Sequence, residues 1–105
     1  MTFEIHVTEV AWADVEEAEE YFWEQDRPYL ISQFRADLMA TLRFVAENPL
    51  LRSDGERPGI RTEHLTKFAS YKAWFRVFED IRYVEVFAVM NDARGDEAIE
   101  RHISS

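Results

Sequence analysis

The spacing of apolar residues along the chain changes period, and each period predicts a different kind of element. Near the N-terminus, apolar and polar residues alternate over Phe3–Val7, which is typical of a short β-strand with one buried face. From Ala11 onward the apolar residues Ala11, Val15, Ala18 and Phe22 recur every three to four positions, and four glutamates at positions 16, 17, 19 and 20 fill the other side. This spacing predicts an amphipathic helix over residues 10–25.

A second helix is predicted directly after the first. The tripeptide Asp26-Arg27-Pro28 marks a break and a restart, because Asp caps helix starts and Pro is tolerated in the first turn. The helix ends before Pro49, since the residue preceding a proline disfavours helical geometry. Its apolar face is formed by Ile31, Phe34, Leu38, Leu42 and Val45. Because the connection is so short, residues 10–48 are predicted to form an antiparallel helical hairpin.

The second half of the chain is predicted to be a surface loop followed by strands. Residues 50–63 are rich in Gly, Pro and charge, which is typical of a loop. The next three runs are rich in Val, Phe, Tyr and Trp, with gaps short enough for antiparallel hairpins, and they cover Thr62–Phe68, Lys72–Phe78 and Tyr83–Met90. The last run is apolar on both faces, which predicts a central strand. We expect a short terminal helix within Met90–Ser105.

These elements predict an α+β fold in one domain over residues 1–105: an N-terminal strand, a helical hairpin and a three-stranded antiparallel meander. Hydrophobic residues make up 47% of the sequence, which is enough for one core without disulfides or metals. The residues expected in that core are Phe34, Leu38, Leu42, Phe75, Val77, Val86 and Phe87. Phe22 and Trp23 fall near the hairpin tip, where we expect one of the two to remain partly exposed.

The formal charge of −9 is concentrated at one end of the sequence. Residues 1–26 contain nine carboxylates and no Lys or Arg, whereas residues 27–105 contain twelve acids and twelve bases. An acidic helix repels phosphate backbones and attracts basic partners. Its simplest role is a solvated helix face that keeps the protein soluble.

Several classes of site and location receive no support from the sequence. The three histidines show no metal-ligand spacing, no Gly-rich phosphate loop occurs, and no cofactor or metal is predicted. The absence of cysteine fits a reducing compartment. No run reaches the ~18 apolar residues of a membrane helix, and the N-terminus does not have the pattern of a signal peptide. We therefore expect a cytoplasmic protein that does not enter a membrane.

The order of the elements resembles the ParE/RelE superfamily of bacterial toxins along nearly the whole chain. The positions that carry the resemblance are spread along the chain, and they are Ile5-x-x-Thr8, Ala11-x-x-Asp14-Val15-x-x-Ala18, Phe34-x-x-x-Leu38-x-x-x-Leu42, Asn48-Pro49, Tyr71, Phe75-Arg76-Val77-Phe78, Val84-x-Val86-Phe87-x-Val89 and Arg94. The resemblance implies a type II toxin held inactive by a cognate antitoxin that wraps it.

Two activities divide this superfamily, and each implies different residues. RelE-like members cleave mRNA on the ribosome with a basic cluster and a C-terminal Tyr or His, whereas ParE-like members poison DNA gyrase without that cluster. The RelE-like activity would place Arg76 and Arg94 in the catalytic set, with weaker support from Lys67, Lys72 and His102. These residue types suit the chemistry, because 2′-hydroxyl attack needs a base, an acid and a cation beside the phosphate.

Each candidate also has a plain structural interpretation. Arg76 lies in a predicted inner strand, where an ion pair with a neighbour such as Glu85 would satisfy it. Lys67, Lys72 and Arg94 fit solvated surface charges, and His102 fits a mobile tail. No tyrosine follows Tyr83, so the RelE-like set is incomplete.

Three functional hypotheses follow from this comparison. The first is a ParE-like gyrase inhibitor, favoured by the long hairpin, the incomplete catalytic set and the acidic charge. The second is a ribosome-dependent mRNA interferase, with the ribosome and mRNA as partners. The third is a toxin-derived interaction module without toxicity, suggested by the unusual acidic helix. The sequence leaves homo-oligomerisation open.

Overall fold

The computed structural model describes residues 2–55 and 57–104, with the side chains of Asp96, Arg101 and Ser104 outside that description. The described chain contains four strands and three α-helices. In chain order they are β1 (Glu4–Val7), α1 (Glu9–Glu24), α2 (Tyr29–Glu47), β2 (Arg61–His64), β3 (Tyr71–Phe78), β4 (Tyr83–Asn91) and α3 (Asp92–Ser104). A short 3₁₀ turn over Glu79–Ile81 joins β3 to β4. The predicted α+β class and element order are confirmed.

The helical hairpin forms as predicted, although its turn differs in detail. Thr8 caps α1, because its side-chain oxygen accepts a hydrogen bond from the Ala11 N–H at 3.2 Å. Asp26 does not cap α2. It lies in the turn with a left-handed φ of 59°, and Pro28 precedes the first helical residue without a side-chain cap. The expectation that α2 ends before Pro49 is confirmed by its last residue, Glu47.

The four strands form one sheet in the order β1-β4-β3-β2. The three strands after residue 61 pair antiparallel, and β4 is central, as predicted. β1 joins the other edge of β4 in parallel, with Ile5 opposite Val84 and Val7 opposite Val86, so the sheet as a whole is mixed. The hairpin between β1 and the meander provides the long crossover that a parallel pair requires.

The strand β2 is shorter than the predicted Thr62–Phe68 and begins inside the predicted loop. It covers only Arg61–His64. A buried carboxylate from α2 explains where it stops: the Asp37 side chain accepts hydrogen bonds from the backbone N–H groups of Lys67 and Phe68 at 2.9 and 2.8 Å. These bonds hold the chain in a turn where an extended strand was expected.

The sheet is packed on both faces. The hairpin covers one face with the larger apolar cluster, and α3 covers the other with a smaller cluster around Trp74 and Ile99. The predicted core is confirmed except for Val77, which is only half-buried near the end of β3. Phe22 is buried and Trp23 is 67% exposed, which confirms the expectation at the hairpin tip.

The terminal helix α3 forms a layer of its own on one face of the sheet, and it is longer than the short helix expected. Its residue Gly95 lies so close to Trp74 that a Cβ atom added there would overlap the indole ring. The helix therefore rests directly on the sheet. Among the described helices, none combines the length and the apolarity that a bilayer span requires.

Candidate functional site

Arg76 on β3 is the first candidate residue, and the structure places it in an ion pair. Its Nη1 donates to Glu85 Oε1 at 3.2 Å across the β3–β4 pair, as the structural interpretation predicted. The guanidinium carbon also lies 4.3 Å from the centroid of the Phe87 ring, which adds a cation–π contact. Arg76 is thus held by two neighbours, with about a third of its side chain exposed.

Lys72 lies on the same face of β3 as Arg76, because the two are separated by an even number of strand positions. Its ammonium lies 2.6 Å from Asp92 Oδ1 and 4.8 Å from the centroid of the Trp74 ring. The hydrogen bond from Lys72, aided by His64, lowers the pKa of Asp92 below its ordinary 3.8. Lys72 is 13% exposed, so its prediction as a solvated surface charge is wrong.

Arg94 and His102 both belong to α3 and both face α1. Arg94 pairs with Glu17, and this contact raises the pKa of its guanidinium further. His102 Nε2 lies 3.1 Å from both carboxylate oxygens of Asp14. The expectation that His102 is a mobile tail residue is therefore wrong, since its side chain is only 15% exposed.

Asp14 connects three elements through one carboxylate. Besides contacting His102, its Oδ2 accepts the backbone N–H of Val89 on β4 at 3.0 Å. Burial is the main reason that the pKa of Asp14 lies above its ordinary 3.8, and the two hydrogen bonds oppose that rise. Asp14 therefore links the central strand β4 and the end of α3 to the first helix.

The five candidate cations are not gathered at one point. Lys72 and Arg76 lie on the face of β3 that carries the Trp74–Phe87 cluster, roughly 13 Å apart for four strand residues. Arg94 and His102 lie against α1. Lys67 is exposed in the turn before β3, and its side chain pairs with no carboxylate among the described residues. Four of the five are engaged by carboxylates, which leaves little free positive charge for a phosphate.

A groove of about 750 Å³ lies on the α1 side of the sheet. One wall is the exposed stripe of α1, and the other is formed by the end of β4 and the turn that leads into β3. Arg94 contributes from the first turn of α3. The groove is acidic and aromatic: its most prominent side chains are Glu17, Glu20, Glu24, Tyr21 and Tyr71.

The sequence indicated the charge of α1 but not this groove. The groove brings together residues near positions 20, 70 and 90, and no local motif joins them. Asp14 and Asp37 were also missed, because an acid on a helix face resembles any solvated acid until its distant partners are known. Within the described ranges, no group of three or more His, Asp or Glu side chains is arranged to hold a metal ion.

Sequence comparison and structure comparison with known proteins give different results. No protein-family profile and no curated protein sequence matches the chain. A chain of the chromosomal ParDE toxin–antitoxin system from P. aeruginosa aligns with a TM-score of 0.72 at 18% identity, covering 86% of this chain and 96% of that one. The E. coli toxin RelE, as a mutant in the free state, aligns with a TM-score of 0.69 at 19% identity, covering 99% and 97%.

A third solved structure extends the same pattern. The toxin–antitoxin complex RelBE2 from Mycobacterium tuberculosis aligns with a TM-score of 0.59 at 14% identity, covering 87% of this chain and 99% of that one. The three alignments cover between 86% and 99% of this chain. At these identities they concern backbone architecture. The protein has the fold of the ParE/RelE toxin superfamily.

Proposed function

We propose that the protein is the toxin of a type II toxin–antitoxin pair and that it acts like ParE. In this proposal it binds and inhibits DNA gyrase in the cytoplasm, and a cognate antitoxin neutralises it. The fold supports the toxin assignment. One solved relative is a mutant E. coli RelE toxin in complex with an antitoxin peptide, with a TM-score of 0.62, which supports an antitoxin as the partner.

The observation that favours binding over RNA cleavage is the state of the candidate cations. Arg76 is paired with Glu85, Lys72 with Asp92 and Arg94 with Glu17. A nuclease must surround one phosphate with several positive or proton-donating groups, because charge develops there in the transition state. Loss of one such donor typically reduces the rate by about 10²–10³. Cations that are neutralised and dispersed offer no such centre, whereas gyrase inhibition needs only a docking surface.

The discriminating experiment compares the parent protein with Arg76→Ala in two assays. We expect the parent to inhibit DNA supercoiling by gyrase and to leave mRNA on programmed ribosomes intact. Arg43→Ala is the matched control, since Arg43 is exposed on α2 and pairs with no described carboxylate. Circular dichroism verifies that each variant is folded.

Two results would change the assignment. If the parent cuts ribosome-bound mRNA and Arg76→Ala does not, the protein is an mRNA interferase and the binding proposal is wrong. If the folded parent affects neither gyrase nor mRNA, the toxin assignment is replaced by the third hypothesis, a toxin-derived interaction module.

A further inference from the structure

The groove beside α1 has a chemistry that the proposed activity does not use. The helix contributes Asp14, Glu17, Glu20 and Glu24 to it. Positions 14 to 24 span about 15 Å of helix at 1.5 Å per residue, so the carboxylates form a line along the groove. The single Lys or Arg that lines it is Arg94, within the described residues. The groove therefore carries a surplus of negative charge over its whole length.

The carboxylates at the two ends of this line differ in whether another residue of the chain already pairs with them. Asp14 is engaged by Val89 and His102, and Glu17 is engaged by Arg94. Glu20 and Glu24 are exposed and make no ion pair with any described residue. The end of the groove near the hairpin tip thus retains two carboxylates that can receive cations from outside.

Aromatic side chains lie among these carboxylates. Tyr21 is 53% exposed on α1 between Glu20 and Glu24, and the half-buried Tyr71 lines the opposite wall. Guanidinium and ammonium groups are attracted to aromatic faces, and Arg stacks on them more often than Lys does. Carboxylates and tyrosines in one groove suit the side chains of a basic peptide better than those of an acidic or apolar one.

Arg94 is a cation of the protein itself that already lies in this groove. Its guanidinium reaches from α3 across to Glu17 on α1, and Arg94 lines the groove together with Asp14 and Tyr71. One arginine of the chain therefore already occupies the carboxylate–tyrosine environment at one end of the groove. The other end offers Glu20, Glu24 and Tyr21 with no cation of the described chain paired to them.

We propose that this groove binds an arginine- or lysine-rich segment of a protein partner, whose cations pair with Glu20 and Glu24 and compete with Arg94 for Glu17. If the proposed function holds, that partner is the antitoxin, so the identity of the partner rests on the proposed function. The groove's chemistry does not depend on gyrase. Nucleic acid is disfavoured as a ligand, because its phosphates would face four carboxylates.

The first test uses a fluorescently labelled hexa-arginine peptide as the probe and fluorescence anisotropy as the readout. We expect the double variant E20Q/E24Q to bind it about three- to tenfold more weakly, because two partly exposed ion pairs with the probe are lost. The control E9Q/E16Q removes the same charge from α1 at positions outside the groove. It should change the dissociation constant less than twofold. Equal weakening by both double variants would mean attraction to net charge alone and would overturn the proposal.

The second test examines competition with Arg94. Arg94→Gln removes the resident cation and leaves Glu17 available, so we expect the hexa-arginine probe to bind several-fold more tightly. Arg43→Gln makes the same change of net charge on α2, away from the groove, and should have a much smaller effect. If the two variants tighten binding equally, Arg94 does not occupy the probe's site and the competition is refuted.

Salt dependence, together with an aromatic variant, separates the charged part of the interaction from the aromatic part. At higher salt the association rate should fall for the parent, and the preference for the parent over E20Q/E24Q should shrink. Tyr21→Ala should weaken probe binding even at high salt, since the contact with the ring is not a charge pair. No effect of Tyr21→Ala would remove the aromatic part of the proposal. All of these measurements omit gyrase and ribosomes, so failure of the groove proposal and failure of the proposed function give different results.

Discussion

The imidazole of His102 lies 3.1 Å from both carboxylate oxygens of Asp14, although 88 positions separate the two residues in the sequence. The contact joins the last turns of α3 to the middle of α1. Because Asp14 also accepts the N–H of Val89, the same carboxylate is hydrogen-bonded to the central strand β4. The C-terminal helix is thereby attached to the rest of the fold by a polar contact at its end and an apolar one at its centre.

Loss of this contact should loosen the end of α3 selectively. A hydrogen bond to a charged group contributes roughly 1.5–3 kcal/mol, so His102→Ala should speed amide hydrogen exchange over residues 98–103 by about tenfold or more. His6→Ala is the control, because His6 is exposed on β1. Equal exchange of these amides in both variants would show that the apolar contacts alone hold the helix.

Gly95 should resist replacement even by alanine. In a helix interior, Gly→Ala normally stabilises by about 1 kcal/mol. Here the added Cβ would overlap the rigid indole ring of Trp74, and overpacking of this kind costs about 1–3 kcal/mol. We therefore expect Gly95→Ala to lower the free energy of unfolding measured in urea. Exposed Ala93 serves as the reference, where Ala93→Gly should be mildly destabilising for the ordinary helical reason. A stabilised Gly95→Ala variant would mean that α3 does not rest on Trp74 as described.

The elements of this fold could be predicted because their signals are local. The period of the apolar residues distinguishes α1 and α2 from the strands, and the apolar character of both faces of β4 indicated its central position. The ion pair of Arg76 with Glu85 was foreseeable for the same reason, since an inner-strand arginine needs a partner and an acid lay nearby on the next strand.

The features that escaped prediction depend on distant contacts. The early end of β2 is set by Asp37, some thirty positions away. The parallel pairing of β1 with β4 is set by the tertiary arrangement that brings β1 beside β4, and no local signal in β1 indicates it. The prediction for His102 was wrong because it used only the residue's position near the terminus. The partner carboxylate, Asp14, lies on α1 and is distant in the sequence. The groove likewise exists only once three distant segments meet.

The hairpin face of the core can be tested at two adjacent positions of α2. Leu38 is fully buried, and Leu38→Ala should reduce the free energy of unfolding by roughly 2–5 kcal/mol. Its neighbour Met39 is 39% exposed, so Met39→Ala should cost much less. Urea denaturation measures both. A loss below about 1 kcal/mol for Leu38→Ala would mean that the buried face of α2 is misassigned.

Asp92 should contribute to stability in a pH-dependent way. Lys72 lowers the pKa of the folded carboxyl below 3.8, so the ionised pair stabilises the folded chain above that pH. The stabilisation is lost as the pH falls through the lowered pKa. Asp92→Asn should therefore have a lower urea midpoint than the parent near neutral pH, and the difference should shrink in acid. Asp80→Asn, at an exposed position of the β3–β4 turn, is the control. A difference that stays constant with pH would exclude this origin.

The central proposal is that this protein acts by binding gyrase, without a nuclease centre. Its most direct test is DNA supercoiling by purified gyrase, titrated with the purified protein and followed on agarose gels. We predict that the parent inhibits supercoiling or traps cleaved DNA in a dose-dependent manner, and that Arg76→Ala retains this effect because Arg76 serves its ion pair with Glu85. Unimpaired supercoiling at every concentration of folded protein would contradict the account.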